Sequence, residues 1–214
     1  MGNIEKALIG NPSRIAKSVI ISPVFYPQSW GLKAKRTACG NLISLQENFT
    51  FIKTYPAPNW VFDTVCALAG TKAKMIVFVG TGGGIGSKLK IGEVVAAQSA
   101  CWGNWKRMFR PAKSLLALVK IPQAKVFSLN SFLEETKANL LRLKKRGVDL
   151  IDLETASFYR ASRKIKIKGI ALLVVEDLPF KSPFYFSLSK TKKVKLTKGI
   201  ESLKKLCLSL VQNP

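Results

Sequence analysis

A chain of 214 residues, 47% of them hydrophobic, can form one domain with a full core, and we predict a single domain over residues 1–214. It has no histidine, which excludes Ser-His-Asp triads, imidazole bases and His-ligated metals. Its four cysteines form no C-x-x-C pair, so we predict no metal site and expect reduced thiols in a cytoplasmic protein. The formal net charge of +23 makes nucleic acid a candidate partner, although a solvated lysine-rich surface explains the same charge.

The first third is predicted to contain three short strands and one helix. The strands are rich in β-branched and aromatic residues between turn residues, and they are Ser18–Ser22, Asn41–Leu45 and Phe49–Thr54. A proline-rich loop, Tyr55–Asn59, precedes the helix. The apolar residues of this helix recur on one face, and Gly70 ends it.

A glycine-rich segment, Gly80–Gly86, follows the predicted buried strand Lys74–Val79 and precedes a second predicted strand, Ile91–Ala97. Its sequence, GTGGGIG, matches neither the G-x-G-x-x-G fingerprint nor the Walker pattern, and no helix is predicted directly after it. We predict a turn in which a ligand approaches the backbone closely and successive N–H groups bind an anion or a hydroxyl. A turn that serves only chain reversal is the alternative.

The second half alternates strands with helices. We predict a loop over Ala100–Pro111, a strand over Lys125–Ser128 and a helix over Ser131–Arg146. A strand-helix-strand unit is predicted over residues 148–176, and a final helix over Gly199–Gln212. In the lysine-rich run TKKVKLTK, apolar and lysine residues alternate as they do in an exposed strand. The longest aliphatic run, Ile170–Val175, is too short to cross a bilayer, so we expect no membrane span. The alternation predicts an α/β protein with three α/β/α layers around a mixed central sheet.

Two carboxylates stand at predicted strand ends, Glu154 where a strand gives way to a helix and Asp177 at the end of the next apolar strand. Ligand sites in α/β sheets lie outside the carboxyl ends of strands, so both side chains can converge on one ligand. Five of the 12 acidic residues fall within residues 148–177: Asp149, Asp152, Glu154, Glu176 and Asp177. The alternatives are a helix-start acid that favours the macrodipole for Glu154, and a solvent-facing carboxylate for Asp177.

Four stretches carry a family resemblance, and they read VFVGTGGGIGSKLKIGEVVAA, SLNSFL, VDLIDLETASFYRAS and IALLVVEDLP. In order and spacing, from about residue 60 to about residue 180, they resemble the nucleoside phosphorylase and nucleosidase superfamily. They are similar to its Gly-Ser/Thr-x-Gly-Gly turn, its Ser-x-Asp-x-Phe and D-M-E-x-A-A stretches, and its strand that ends in the catalytic Asp. The resemblance implies a phosphorylase/hydrolase-like α/β/α fold. It also implies a homo-oligomer, since relatives complete their pockets across subunits.

The resemblance further implies a role for each candidate site residue. Glu154 would accept hydrogen bonds from the ribose 2′- and 3′-hydroxyls, and Asp177 would protonate or hydrogen-bond the leaving base. Phe132 would pack against the base, while Thr81 and its neighbouring amides would hold the attacking water or phosphate. The remaining implied lining residues are Gly82, Gly83 and Leu153. Cleavage places positive charge on the sugar and negative charge on the base, which a carboxylate and an acid would stabilise.

This chain departs from the family pattern at the groups that handle the nucleophile. Phosphorylases of the group carry an arginine shortly before the glycine turn, where this chain has Phe78 and Val79. The nucleosidase places a catalytic glutamate after its first strand, where this chain reads SVIISPVFYP. Glu176 stands in place of the serine before the catalytic Asp, and Asn130 in place of the acid in Ser-x-Asp-x-Phe.

We therefore expect a nucleoside-binding protein that cleaves the N-ribosyl bond of a purine nucleoside or related ribosyl compound, by water rather than by phosphate. No cofactor is expected, and phosphate would be a co-substrate only in phosphorolysis. The alternative is a noncatalytic nucleoside-binding or structural member of the superfamily. A third hypothesis, a basic nucleic-acid-associated protein, rests on the charge alone.

Overall fold

The computed structural model describes residues 2–103, 105 and 107–212. Within these residues the strands are β1 Ser18–Ser22, β2 Lys35–Arg36, β3 Leu42–Leu45, β4 Phe49–Lys53, β5 Met75–Gly84, β6 Val94–Cys101, β7 Gln123–Ser128, β8 Leu150–Asp152 and β9 Lys168–Asp177. The α-helices are α1 Asn3–Ile9, α2 Pro58–Cys66, α3 Lys113–Leu118, α4 Lys137–Lys145, α5 Thr155–Lys164 and α6 Lys190–Gln212. Short 3₁₀ helices are found at Pro12–Arg14, Pro27–Trp30 and Phe132–Glu134.

The strands form one mixed sheet in the order β2-β3-β4-β1-β5-β8-β7-β6-β9, and β9 also pairs with β5. The strands from β5 to β9 therefore close into a ring, and β2, β3, β4 and β1 extend from it as an open sheet. Strands β4, β1, β5 and β9 run parallel to one another, whereas β8 is antiparallel to β5 and β6 is antiparallel to β9. The longest ladder joins β5 to β9, from Met75 opposite Lys168 to Gly83 opposite Asp177.

Helices cover both faces of the sheet. On one face α1, α2 and α5 enclose a core that includes Val61, Val65 and Phe158. Tyr159 of α5 donates a hydrogen bond to the Ala97 carbonyl (2.6 Å) and accepts one from the Ala171 N–H (3.0 Å), which fixes α5 to β6 and β9. On the other face α3 and α6 pack through apolar side chains such as Leu115, Leu203 and Cys207. The predicted three-layer α/β/α class with a mixed sheet is confirmed.

The predicted glycine turn is wrong, because Gly80–Gly84 belong to β5. None of these glycines has a positive φ angle, and the ladder to β9 continues through them as far as Gly83. Gly83 and Gly84 also pair with Ile151 and Leu150 of β8. In an extended strand, successive N–H groups point to opposite edges, so the predicted anion nest does not form here.

Two further element predictions need correction. The predicted helix Ser131–Arg146 starts only at Lys137, because Thr136 caps it by accepting a hydrogen bond from the Asn139 N–H (3.3 Å). The lysine-rich run lies in α6 and is not an exposed strand. Helix α6 begins at Lys190 because its apolar face, which packs on the sheet, continues toward the amino terminus through Ile200 and Leu196.

The remaining predicted strands agree with the structure to within a few residues, while α1 and α3 were not predicted. In the predicted loop Ala100–Pro111, Ala100 and Cys101 belong to β6, and residues 104 and 106 lie outside the described residues. Among the helices of the described ranges, none is both long and apolar enough to cross a membrane.

Candidate active site

A cavity of about 260 Å³ lies at the carboxyl ends of β1, β5 and β9, where the sheet changes neighbours. Strand β1 pairs with β5 from Met75 to Phe78, and β8 pairs with the same edge only at Gly83 and Gly84. The stretch of β5 between them has no strand partner on that edge, and the cavity opens there. The site residues that the sequence predicted all line it: Thr81, Gly82, Gly83, Phe132, Leu153, Glu154 and Asp177.

A buried hydrogen-bond network holds the turn from β8 into α5. Asp152 accepts hydrogen bonds from the Ser128 hydroxyl (2.6 Å), the Thr155 N–H (2.9 Å) and the Thr155 hydroxyl. The Ser128 hydroxyl oxygen in turn accepts a hydrogen bond from the Ala156 N–H (3.0 Å). Asp152 therefore satisfies the first N–H group of α5 and links it to β7, which fixes the backbone that carries Glu154.

Glu154 stands at the amino-terminal cap position of α5, but its side chain makes no capping hydrogen bond. Because Asp152 performs that role, the carboxylate of Glu154 is free to face the cavity, where it is only 7% exposed. Burial, with a smaller contribution from the nearby charge of Asp152, raises the pKa of Glu154 to about 8. Glu154 thus stands at the start of α5, as the helix-start alternative has it, but it is buried in the cavity wall.

Asp177 is the last residue of β9 and lies opposite Gly83 in the β5 ladder. A Cβ atom at Gly83 would come within 2.9 Å of the Asp177 Oδ1 atom, so glycine leaves the room that this carboxylate needs. Asp177 is 5% exposed, and its buried Oδ2 atom has no hydrogen-bond partner among the described residues. Burial raises the pKa of Asp177 to about 6, and the interpretation of Asp177 as a solvent-facing carboxylate is wrong.

The other predicted residues form the back and the mouth of the cavity. At the back, a Cβ atom at Gly82 would lie 2.7 Å from the Ile151 carbonyl oxygen, so this glycine allows β8 to approach β5 closely. At the mouth, Phe132 is 57% exposed and its ring centroid lies 5.0 Å from that of Phe184. Both aromatic rings line the cavity and offer an apolar wall to a planar group.

One acidic residue of the cavity was not predicted. Glu135 lies just after the 3₁₀ turn Phe132–Glu134, half-buried and in the cavity lining. Burial, together with the charge of Asp177, raises the pKa of Glu135 to about 7. In the sequence it stands beside Glu134 in a segment predicted to be a helix, where two acids indicate a solvated face, so only the structure distinguishes them.

The amino-terminal third contributes apolar residues, Pro23, Val24 and Pro56, to the lining. The water-activating acid expected from the nucleosidases is therefore not supplied by this part of the wall. Among the described residues that line the cavity, none is a lysine or an arginine. Across the described ranges, no three Cys, Asp or Glu side chains are grouped so that they could hold a metal ion.

No protein-family model and no curated protein matches the chain. Solved structures do match. Uridine phosphorylase from Vibrio fischeri is similar with a TM-score of 0.75 at 13% identity, over 98% of each chain. The 5′-methylthioadenosine/S-adenosyl homocysteine nucleosidase of Campylobacter jejuni gives a TM-score of 0.70 at 11% identity, over 90% of this chain and 97% of that one. A futalosine hydrolase mutant from Helicobacter pylori gives a TM-score of 0.68 at 13% identity, over 91% of this chain and 99% of that one.

The chain therefore has the fold of the nucleosidases and nucleoside phosphorylases, as the resemblance in its sequence predicted. The likeness extends beyond the segments that carry the sequence motifs, because the match to uridine phosphorylase covers 98% of this chain. Identities this low show the shared fold, and the activity has to be argued from the side chains of the cavity.

The pKa of Glu154 predicts how a substitution changes stability with pH. The folded protein keeps this proton up to about pH 8, whereas the unfolded chain loses it near the ordinary pKa of 4.5. The folded state binds more protons in that range, so the free energy of unfolding decreases as the pH rises from 4.5 to about 8. Glu154→Gln cannot ionise. At about pH 9 the free energy of unfolding of Glu154→Gln should exceed that of wild type by up to about 5 kcal/mol, since the pKa shift from 4.5 to about 8 is about 3.5 units and each unit corresponds to about 1.4 kcal/mol.

Urea unfolding between about pH 4 and pH 9 measures this difference. The matched control is Glu201→Gln on the exposed face of α6, which should follow the wild-type pH dependence. Parallel profiles for wild type and Glu154→Gln would show that Glu154 is not desolvated.

Proposed function

We propose that the protein cleaves the N-ribosyl bond of a purine nucleoside or related ribosyl compound, with water rather than phosphate as the acceptor. The observation that carries this proposal is the acidic composition of the cavity wall. Among the described residues, the ionisable side chains that line it are all acidic: Glu135, Asp152, Glu154, Glu176 and Asp177. A developing ribosyl cation is stabilised by such a wall, whereas a phosphate dianion would face buried carboxylates with no lining cation to offset them.

The roles of the cavity residues follow from their positions. Glu154, fixed by the Asp152 network, accepts hydrogen bonds from the ribose hydroxyls and faces the positive charge that develops on the sugar. Phe132 and Phe184 pack against the base, and Asp177 at the end of β9 protonates or hydrogen-bonds it. Since Glu154 has a pKa of about 8, hydroxyl donors that favour its ionised form should release its proton on binding.

A second candidate, nucleoside binding without turnover, is supported by the apolar part of the wall. Pro23, Val24 and Pro56 cannot activate water, and the hydroxyl of Thr81 is the polar side chain that β5 adds to the lining. A scaffold that retains recognition residues but lacks an activating base would bind a nucleoside and release it unchanged. The two candidates differ in a single observable, the appearance of free base.

Incubation of the purified protein with purine and pyrimidine nucleosides, including 5′-methylthioadenosine, distinguishes these candidates. Free base is measured by chromatography with and without phosphate. We expect base release without phosphate, and about a 100-fold or greater loss in Asp177→Asn, because general acid catalysis contributes on that order. Release that requires phosphate would contradict hydrolysis, and nucleoside binding without release would establish the noncatalytic candidate.

We also propose that a second copy of this chain covers the mouth of the cavity. Beside Phe132 and Phe184 the surface exposes further large apolar side chains, and the set, which we call the aromatic ledge, is Phe132, Leu133, Phe184, Tyr185 and Phe186. Leu133 is 88% exposed, and three of the aromatic rings lie in a chain of contacts from Phe184 to Phe186. A contiguous apolar surface at a cavity mouth is typical of a subunit interface.

Analytical ultracentrifugation tests this self-association. Wild type should sediment as a dimer or larger species at micromolar concentration. Tyr185→Ser combined with Phe186→Ser should shift it to monomer, because both side chains belong to the ledge and neither lines the cavity. A wild-type protein that sediments only as a monomer would contradict the shared interface.

A further inference from the structure

We propose that Glu135 and Asp177 share one proton at the base end of the cavity and act together as the acid that protonates the leaving base. The inference rests on the proposed function and assigns a second residue to its acid step. It differs from the role implied by the family resemblance, in which Asp177 acts alone.

The geometry separates Glu135 from its neighbour in the chain. Glu134 accepts hydrogen bonds from Asn130, including one from its Nδ2 atom (3.0 Å), and does not line the cavity. The N–H of Glu135 donates to the Phe132 carbonyl (3.0 Å) and closes the turn, and the Glu135 side chain lies in the cavity wall. Glu135 thus reaches the cavity from the segment after β7, while Asp177 reaches it from the end of β9.

The carboxylate of Asp177 has an oxygen that is free to receive a proton. The Oδ2 atom of Asp177 is buried and has no hydrogen-bond partner among the described residues, an arrangement that costs free energy unless a proton or a ligand donor occupies it. Glu135 lines the same cavity as Asp177, and the charge of Asp177 adds to burial in raising the pKa of Glu135. Glu135 brings a second carboxyl group to the wall of this cavity.

The surrounding charges favour one proton on the pair. The other ionisable groups of the cavity wall are Asp152, Glu154 and Glu176, all of them acidic. Burial and the charge of Asp177 raise the pKa of Glu135 to about 7, while burial raises the pKa of Asp177 to about 6. Two desolvated carboxylates of this kind titrate as a unit, and between these values one proton stays on the pair.

The chemical step balances without a further reactant. The bond between C1′ of the ribose and the base nitrogen breaks, its electron pair stays on the base, and the base takes the proton held by the pair. A water oxygen bonds to C1′ and releases one proton, which returns to the two carboxylates. The products are free base and ribose or the corresponding 5′-substituted sugar, and the pair ends in its starting protonation state.

A comparison of leaving groups tests the assignment. Glu135→Gln and Asp177→Asn should each lower the hydrolysis of inosine or adenosine by about 100-fold or more, because the base must be protonated as it leaves. Both variants should retain cleavage of 4-nitrophenyl β-D-ribofuranoside to within a few fold, since nitrophenolate leaves without a proton. Glu134→Gln is the matched control and should keep both activities. Equal losses on the two substrates, or full nucleoside hydrolysis by Glu135→Gln, would overturn the role of Glu135.

A second measurement does not depend on activity. Carbon NMR of carboxyl-labelled glutamate follows the titration of Glu135 in wild type and in Asp177→Asn. The pKa of Glu135 should fall in the variant, because the neutral amide removes the charge that raises it. An unchanged titration would refute the pair even in a protein that cleaves nucleosides. A wild type that cleaves neither substrate, with the pair confirmed by NMR, would reject the proposed function and the acid role that rests on it, but not the shared proton.

Discussion

The parallel ladder between β5 and β9 is the constraint on which the rest of the molecule depends. It closes the ring of strands and carries Asp177 to a position opposite Gly83. The glycines at the end of β5 let β8 approach from the other edge and leave space for the Asp177 carboxylate. Strand β8 leads directly into α5, so the same close approach places Glu154 in the cavity. A larger side chain at Gly83 would press on both the Asp177 carboxylate and β8, and one at Gly82 would press on β8.

The electrostatics of the interior and of the surface are opposite in sign. The chain carries a net charge of +23, and lysines such as Lys190, Lys193 and Lys195 of α6 are exposed. Salt screens exposed charges over about 8 Å at physiological ionic strength, so these lysines do little to offset the cavity carboxylates. Burial therefore dominates inside, and it raises the pKa values of Glu135, Glu154 and Asp177 toward or beyond neutrality. That combination supplies both protonated and ionised carboxyls at one site, which is what acid-assisted cleavage needs.

Much of the site was predictable because strand ends and buried carboxylates leave clear marks in a sequence. Glu154 and Asp177 follow short apolar strands, and the structure brings both to one cavity. The glycine run was misread as a turn because glycine usually marks turns, whereas here it serves close packing between strands. The lysine-rich start of α6 was wrongly predicted to be a strand, because the alternation of lysine and apolar residues there hides the helical period of the apolar residues. Glu135 could not be predicted, since it is half-buried like Glu134 and differs from it only in lining the cavity, while Glu134 accepts hydrogen bonds from Asn130.

The central claim, that Glu154 recognises ribose in this cavity, is tested most directly by calorimetry. A ribonucleoside and its 2′,3′-dideoxy analogue are titrated into the Asp177→Asn variant, in which turnover is slowed, and into the same variant with Glu154→Gln added. With Glu154 present, the ribonucleoside should bind about 10- to 100-fold more tightly than the analogue, since a hydrogen bond to a charged group contributes about 1.5–3 kcal/mol. With glutamine at that position, the preference should disappear. Equal binding of the two ligands while Glu154 is intact would contradict the account.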